Sequence, residues 1–499
     1  MESKTNNAID LSQYVSNTDK NVYTIFNLPE EVIAVIFAYV SRSPKSFREN
    51  LRQLLEDEEL GIQQGTSSQL WLSKKASSFH EKWVVQYGHS SVAEHAVAHV
   101  GIEQISRLAS AALELATSFG SFTEYSQRYQ RPQRGAYYLP VELAQAPHLK
   151  ERFIAVQEEN YSIYEELFHQ LVQYLQKEIP LQAGESERAY KMRIEKIAFE
   201  DARYVLSNAT FTQLGMTING RAVRDAIVQL LSSPYPEMQE LGQQLTDEVS
   251  QVIPTLLRHI KANQYQLKTR ENLHAENYAK LIAKADWCEG ESKSHARILS
   301  VDEELATLRK LASLLLMQFQ ELGYDEADKR AEQATEEELK SIVSNGLSNL
   351  QFFDHPLELF QHVNYTVQLQ ISEANWHQLL RHNRKTHFTY QEPTIVNGYT
   401  IPPHIVAAGA TAPFQRAMEN ANQLYVQLIN ELPQVAPYAV TNAHHRQLMA
   451  TISLWELYHL INLRTSDEAQ WDIRQTFQDL HDQLQQIHPT LLHFAKRRP

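Results

Sequence analysis

Residues 362–384, HVNYTVQLQISEANWHQLLRHNR, contain both kinds of hydrophobic periodicity found in this chain. Apolar and polar residues alternate as far as Ile371, which is the pattern of a half-buried β-strand. Helical spacing follows in ANWHQLLRHNR, whose tryptophan and leucines fall on one side of a helix. The stretch therefore predicts a strand that leads directly into a helix with basic residues at its end.

The first part of the chain repeats this arrangement. HAVAHVGIEQIS, which opens at His95, alternates in the same way and precedes the helical RLASAALELA. Each half then has a long amphipathic stretch, ERFIAVQEENYSIYEELFHQLVQYLQ in the first and FQRAMENANQLYVQLINEL in the second. A third element recurs as TINGRAVRDAIVQLL and TISLWELYHLINLR. Three elements in the same order indicate a tandem duplication; the alternative is chance similarity between two amphipathic helical domains.

The duplication predicts a first half at residues 1–265, a connector at 266–290 and a second half at 291–499. The connector is polar and leads into CEGESKS, a turn-rich stretch typical of a surface connection. We expect the second half to begin with a helix from Leu305.

Composition limits the classes of function. The 499 residues are 43% hydrophobic and carry a formal net charge of −14, which suits a globular protein of two or more domains. Cys288 is the lone cysteine, and the sequence shows no signal peptide and no apolar run long enough to span a bilayer. We therefore expect a cytoplasmic protein without a membrane partner. The negative charge disfavours a partner that is a nucleic-acid polymer, so a phosphate ligand requires a local group of arginines.

Two stretches offer such groups. SFTEYSQRYQR, Ser121 to Arg131, combines hydroxyl, carboxylate and arginine side chains, and QLLRHNRKTH ends the helix of the opening stretch. Considered alone, SQRY favours a solvated helix entry, and Arg381 with Arg384 favours an exposed helix face. Their order along the chain favours a functional interpretation.

Several motifs together resemble the signatures of flavin-dependent thymidylate synthases: GHSSVAEHA, SFTEYSQRY, ARYVL and NGR in the first half, and QLLRH and NLRTSDEAQWDIR in the second. The central signature of that family is Arg-His-Arg, two residues, Ser, one residue, Asn-Glu, one residue, Ser, one residue, Arg-Tyr. The first half matches its end from Ser121 to Tyr129 but has ATS in place of Arg-His-Arg. The second half matches its beginning at Arg381 and His382, but Asn383 replaces the next arginine.

Other family positions are divided in the same way. In the first half, Arg203, Asn219 and Arg221 match family positions that contact substrate phosphate and flavin. The equivalent positions of the second half are Pro437, Ser453 and Trp455, so these contacts are lost there. Conversely, Arg464 matches the arginine that grips the uracil base, and its first-half counterpart is Leu230. The halves are therefore complementary, and we expect each complete site to combine residues of both.

The resemblance implies an α/β fold of the α+β type, with two tandem halves that are each a mainly antiparallel sheet flanked by long helices. It implies a methyltransferase that converts dUMP to dTMP, with methylenetetrahydrofolate as carbon donor and NADPH-reduced FAD as hydride source. Family members are homotetramers with shared sites, so two chains would form a homodimer that acts as a pseudo-tetramer. Asn383, Asp225 and His459 depart from the family pattern, which leaves two alternatives: a flavin- or nucleotide-binding relative with an altered reaction, or a pseudoenzyme.

The resemblance also assigns the site residues. The substrate-binding candidates are Glu124, Ser126, Gln127, Arg128, Arg203, Gln378, Arg381 and Arg464. The cofactor-binding candidates are His89, Ser91, Glu94, Asn219, Arg221, Arg381, His382 and Arg384. Arg464 is also the catalytic candidate, because a fixed guanidinium would stabilise negative charge developing on the uracil ring. No metal site is expected, since His89 and His95 lack an obvious third ligand and the pair at 444–445 is a weaker candidate.

Overall fold

The computed structural model describes residues 10–40, 43–56, 90–254, 257, 260–274 and 288–495. Its strands are β1 Val97–Ser106, β2 Gly120–Glu124, β3 Phe211–Asn219, β4 Cys288–Glu291, β5 His295–Ser300, β6 Asn364–Ser372, β7 Thr386–Tyr390, β8 Asn397–Tyr399 and β9 His445–Ser453. Helices α1 to α9 are Glu30–Val40, Phe47–Glu56, Ser90–Ala93, Arg107–Leu115, Pro147–Glu178, Glu187–Ala202, Gly220–Leu231, Pro236–Val249 and Gln264–His274. Helices α10 to α18 are Glu304–Phe319, Tyr324–Gln333, Glu336–Asn345, Glu373–Leu379, Pro403–Ala407, Thr411–Glu431, Leu454–Arg464, Trp471–Ile487 and Pro489–Leu492.

Two of the sheets repeat one topology. The first has the strand order β1-β3-β2, and the second has the order β5-β6-β9-β7, so β6, β9 and β7 occupy the places of β1, β3 and β2. β2 pairs with β3 antiparallel, and every pair in the second sheet is antiparallel. Long helices accompany both halves. The predicted fold class, two tandem α+β halves with mainly antiparallel sheets, is confirmed.

The opening stretch forms the predicted strand and helix, but the helix is buried on almost every side and not on one face alone. Tyr365, Val367 and Leu369 of β6 are fully buried, while intervening positions are partly exposed. The chain then turns into α13, where the Ser372 hydroxyl caps the helix by accepting the backbone N–H of Asn375 at 3.1 Å. A short 3₁₀ turn ends the element at residues 380–382.

The turn-rich interpretation of CEGE was wrong. This segment is β4, which pairs in parallel with β8 through a register shift, and Gly290 has φ +115°. Glycine tolerates this conformation, so the strand can bulge where another residue would be strained. Its partner lies about a hundred residues further along the chain, and local composition carries no information about it. Residues 275–287 of the predicted connector lie outside the described residues, and the helix predicted from Leu305 is confirmed as α10.

The chain forms two compact units. Unit 1 comprises Met1–Ile105, Ala109–Tyr125 and Thr212–Ala283, and unit 2 comprises Ser106–Leu108, Ser126–Phe211 and Lys284–Pro499. Unit 2 thus contains residues of both sequence halves, and its α5 packs against its α15 in one hydrophobic core. Among the described residues, every helix is too short or too polar to cross a membrane.

Equivalent segments of the two halves pair with each other inside unit 2. These paired segments are YVLSNA of the first half and YAVTNA of the second. The backbone N–H of Asn208 donates to the carbonyl of Val440, and that of Asn442 donates to the carbonyl of Leu206, both at 2.8 Å. Such reciprocal bonds between equivalent positions are the mark of a two-fold, isologous interface. Unit 2 therefore contains a local two-fold relation between the halves.

A buried ion pair provides a stability test of the second sheet. Arg446 donates to both carboxylate oxygens of Glu373 at 2.9 Å, and Glu373 is fully buried. We expect Glu373→Gln to lower the free energy of unfolding by about 3–5 kcal/mol, because it leaves the guanidinium buried without its counter-charge. Urea denaturation measures this change. Glu326→Gln, in the exposed pair with Arg330, should cost less than about 1 kcal/mol; equal losses in the two variants would contradict the expectation.

Candidate functional site

Arg128 is held by residues of both halves in unit 2. Its Nε donates to Oε1 of Glu200 at 2.7 Å, and its Nη2 donates to the backbone carbonyl of Glu468 at 3.0 Å. The hydroxyl of Ser126 accepts the backbone N–H of Arg128 at 3.2 Å, which forms a local turn. This first-half arginine therefore lies beside the segment that leads into α17 of the second half.

Arg203 and Gln127 lie buried next to the paired segments. They are 4% and 2% exposed, and the side-chain amide of Asn442 donates to the backbone carbonyl of Arg203 at 2.9 Å and to Oε1 of Gln127 at 3.4 Å. Nη2 of Arg203 and Nε2 of Gln127 have no hydrogen-bond partner within the described part of the chain. A buried donor without a partner is costly, so these atoms are candidates for contact with a ligand.

A hydrogen-bonded chain joins the two halves at the other candidates. Nη2 of Arg464 donates to the backbone carbonyl of Gln378 at 2.8 Å. The side-chain Nε2 of Gln378 donates to Oε1 of Gln470 at 3.4 Å. The amide of Gln470 in turn donates to the hydroxyl of Tyr204 at 2.9 Å. Oε1 of Gln378 is buried and, among the described residues, lacks a donor. Like Nη2 of Arg203 and Nε2 of Gln127, this oxygen is a candidate for contact with a ligand.

Positive charge accumulates here. Burial is the main reason that the pKa of Arg203 and the pKa of Arg464 both fall to about 10, and the guanidinium of Arg128 lowers both further. Arg107 also lowers the pKa of Arg203, and Arg381 that of Arg464. Guanidinium groups that repel one another in a low-dielectric site favour a bound anion. Sequence analysis missed Arg107, although it stands alone as a basic residue between two apolar elements.

His382, predicted to bind cofactor, lies against Arg464. Arg464 donates to Nε2 of His382 from Nε at 3.1 Å and from Nη2 at 2.9 Å. Nδ1 of His382 lies 3.0 Å from Oε1 of Glu456, and burial lowers the pKa of His382 well below its usual value. His382, Glu456 and His459 each offer one metal-ligand atom, and these three atoms lie within 4.8 Å of one another. The Nε2 lone pair, however, already accepts N–H groups of Arg464 and is not available to a metal ion. The neutral ring therefore carries its proton on Nδ1, and this N–H donates a hydrogen bond to Glu456.

The first-half flavin candidates lie in unit 1. Nη1 of Arg221 pairs with Oε1 of Glu94 at 2.6 Å, and both side chains are about half exposed. Asn219 caps α7 through its side-chain oxygen. Ser91 is exposed in α3, and His89 lies outside the described residues.

The remaining candidates are divided between the units. Glu124, at the end of β2 in unit 1, accepts hydrogen bonds from the hydroxyls of Ser110 at 2.8 Å and Thr212 at 3.1 Å. Arg381 and Arg384 are exposed in unit 2, directly after α13. Unit 2 thus contains most residues assigned to substrate together with the flavin candidates Arg381, His382 and Arg384, and unit 1 contains Glu124 with the first-half residues assigned to flavin.

The comparisons with known proteins agree with the motifs. A family model described as thymidylate synthase complementing protein matches residues 23–255 and 301–490. A UPF0159 protein of Chlamydia muridarum is 27% identical over 507 residues, covering 97% of this chain and 93% of the relative. A UPF0159 protein of Chlamydia pneumoniae is 25% identical over 483 residues, covering 93% and 89%. A flavin-dependent thymidylate synthase of Sulfolobus acidocaldarius is 29% identical over 204 residues, which are 38% of this chain and 68% of that relative. The family model matches most of the length of this chain, in two successive regions. The chain therefore belongs to the thymidylate synthase complementing protein family.

Proposed function

We propose that this protein is an FAD-dependent thymidylate synthase that methylates dUMP to dTMP, with methylenetetrahydrofolate as carbon donor and NADPH as the reductant of the flavin. The main support is that three buried polar atoms, on Gln127, Arg203 and Gln378, lack partners among the described residues. All three lie on residues assigned to substrate from sequence alone. A nucleotide monophosphate has the phosphate oxygens and base-edge groups that would satisfy them.

Each residue then has a distinct task. Arg203 and Arg128 would bind the phosphate, because a guanidinium fork gives paired, charge-assisted hydrogen bonds. Gln378 would orient the uracil through its vacant amide oxygen. Arg464, fixed by the Gln378 carbonyl and His382, would stabilise negative charge on the ring as the C5–C6 bond is polarised.

The residues assigned to the flavin fit its charge. Arg381 and Arg384 in unit 2 are exposed, and their guanidinium groups are the kind of donor that the FAD pyrophosphate accepts. When bound, the flavin supplies the hydride that completes the methyl group. The protein's own residues bind and orient the substrate and stabilise its charge.

One observation favours a second candidate, a flavin-binding relative with an altered reaction. Trp455 stands where the first half has Arg221, and the ring of His355 stacks on it at 4.2 Å and 13°. Nζ of Lys385 lies 4.9 Å from the same indole. An aromatic stack at this place would change which cofactor or co-substrate group can bind.

Purified protein distinguishes these functions. A thymidylate synthase would purify yellow with FAD and, given methylenetetrahydrofolate and NADPH, release the C5 hydrogen of dUMP and form dTMP. A yellow protein that binds dUMP but leaves the C5 hydrogen in place would support the altered reaction. A protein that binds neither ligand would be a pseudoenzyme and would overturn the proposal.

Arg203 provides a test of the phosphate site. We expect Arg203→Gln to weaken dUMP binding on the order of 10- to 100-fold, the usual effect of losing a charge-assisted hydrogen bond, while deoxyuridine binding stays unchanged. Isothermal titration measures both, with one site per chain expected because Pro437 replaces the equivalent arginine. Arg134→Gln, in a surface pair with Glu165, is the control. Equal losses for dUMP and deoxyuridine would place Arg203 away from the phosphate.

A further inference from the structure

Three side chains of unit 2 form a buried hydrogen-bonded series. Arg464 donates two N–H groups to Nε2 of His382, and Nδ1 of His382 donates to Oε1 of Glu456 at 3.0 Å. The side chains of His382 and Glu456 are each 6% exposed, so water does not substitute for either partner. The geometry therefore fixes one protonation pattern on the ring.

Glu456 and Arg464 select this pattern together. A neutral imidazole carries one proton, on either nitrogen, and the choice depends on the hydrogen bond that the other nitrogen makes. If the proton moved to Nε2, it would face the N–H groups of Arg464, and donors would oppose donors. An acceptor beside Nδ1 prevents this. Glu456 is itself fixed in the first turn of α16, where its backbone N–H bonds the hydroxyl of Ser453 at 3.3 Å.

We infer that Glu456 is a positioning residue that acts through His382 to aim the guanidinium of Arg464 at the substrate base. This inference rests on the proposed function only in naming the base as the target; the control of the ring tautomer is independent of it. His382 accordingly acts as the link between a buried acceptor and the catalytic arginine, in addition to any contact with cofactor.

Two substitutions separate the acceptor from the charge. Glu456→Gln keeps an oxygen that accepts from Nδ1, and Glu456→Leu removes it at similar volume. Burial raises the pKa of Glu456 to about 8, so glutamine resembles the form present at neutral pH. Glu326→Gln, in an exposed pair on α11, is the matched control for loss of a carboxylate.

The first measurement is the tautomer of His382 in ligand-free protein, read from its ¹⁵N ring shifts and assigned by the signal lost in His382→Gln. We expect a protonated Nδ1 in wild type, Glu456→Gln and the control. In Glu456→Leu a buried Nδ1 proton would lack an acceptor, so we expect the proton on Nε2, with the guanidinium of Arg464 turned away from the ring. An unchanged tautomer in Glu456→Leu would overturn the inference. This result is independent of whether the protein makes dTMP.

The second measurement is turnover of dUMP. Glu456→Leu should lower kcat on the order of 10- to 100-fold with little change in the KM for dUMP, because the phosphate contacts are intact. Glu456→Gln should restore kcat to within a few-fold of wild type. Equal losses in both variants would show a merely structural role and would also overturn the inference. If wild type releases no C5 hydrogen, the proposed function fails, while the tautomer measurement still decides the role of Glu456.

Discussion

Replacing Arg464 by alanine is expected to lower kcat for dUMP methylation on the order of 10²- to 10³-fold, with a smaller change in KM. This is the usual effect of removing one preorganised donor from a developing negative charge. Arg464 is suited to the task because the Gln378 carbonyl and His382 fix its orientation before substrate binds. Burial lowers its pKa only to about 10, so the side chain remains a cation at neutral pH.

The comparison with lysine sharpens this test. Arg464→Lys keeps the charge but loses the planar fork, so it should recover only part of the rate. Arg474→Ala, on α17 in a pair with Asp467, is the control and should leave kcat unchanged. Steady-state kinetics and C5-hydrogen release measure all three variants. A higher KM with an unchanged kcat in Arg464→Ala would mean that Arg464 binds the substrate without stabilising the transition state.

Acid should destabilise this protein steeply, because burial holds the pKa of four histidines of unit 2 far below the usual value; a fifth buried ring, His488, is shifted in the same direction. Burial is the largest cause of a lowered pKa in each of them: His377, His382, His444 and His445. The unfolded chain binds these protons below about pH 6.5, whereas the folded chain binds them only at lower pH. Stability that is present above pH 6.5 is therefore lost as the pH falls.

The expected size follows from proton linkage. Well below pH 6.5, each such histidine costs about 1.4 kcal/mol per pH unit, so four cost about 5.6 kcal/mol per unit. The raised pKa of Glu456 has the opposite sign, since it lowers stability as the pH rises from about 4.5 to about 8. Burial also raises the pKa of Glu142, and the hydrogen bond to Asp201 raises that of His404, so these three groups offset part of the slope. Urea unfolding at pH 7, 6 and 5 measures the slope.

A single substitution identifies the source. The pKa of His445 is lowered to about 4, so His445→Gln should remove about 1.4 kcal/mol per pH unit from the slope between pH 6 and 5. Glutamine can still bond the hydroxyl of Thr400, the partner of Nε2 in the native protein. An unchanged slope in this variant would assign the acid sensitivity to other groups.

Local periodicity predicted that β6 leads into α13 and that the first half repeats this order, although both helices are buried on almost every side. Order along the chain also predicted two tandem halves, and two of the sheets share one strand order. The strand at Cys288–Glu291 was missed because its stability comes from β8, a distant partner. Sequence patterns record which face an element buries better than they record which element lies against it.

The candidate site shows the same division. Signature residues such as Arg203 and Gln378 were assigned through the resemblance to the family's motifs, and each has a buried polar atom without a partner among the described residues. The contacts of Arg128 with Glu200 and Glu468 could not be foreseen, because they join residues 72 and 340 positions apart. Nor could the contact between His382 and Arg464, which joins the turn after α13 to the end of α16, 82 positions apart.

The reciprocal bonds between Asn208 and Val440, and between Asn442 and Leu206, have a consequence for how this protein behaves on dilution. Both partners belong to one polypeptide, so their association is intramolecular and does not depend on protein concentration. Covalent fusion also fixes the ratio of the two halves at one to one. Each half can therefore lose a residue that the other half retains, because its linked partner is always the half that carries that residue.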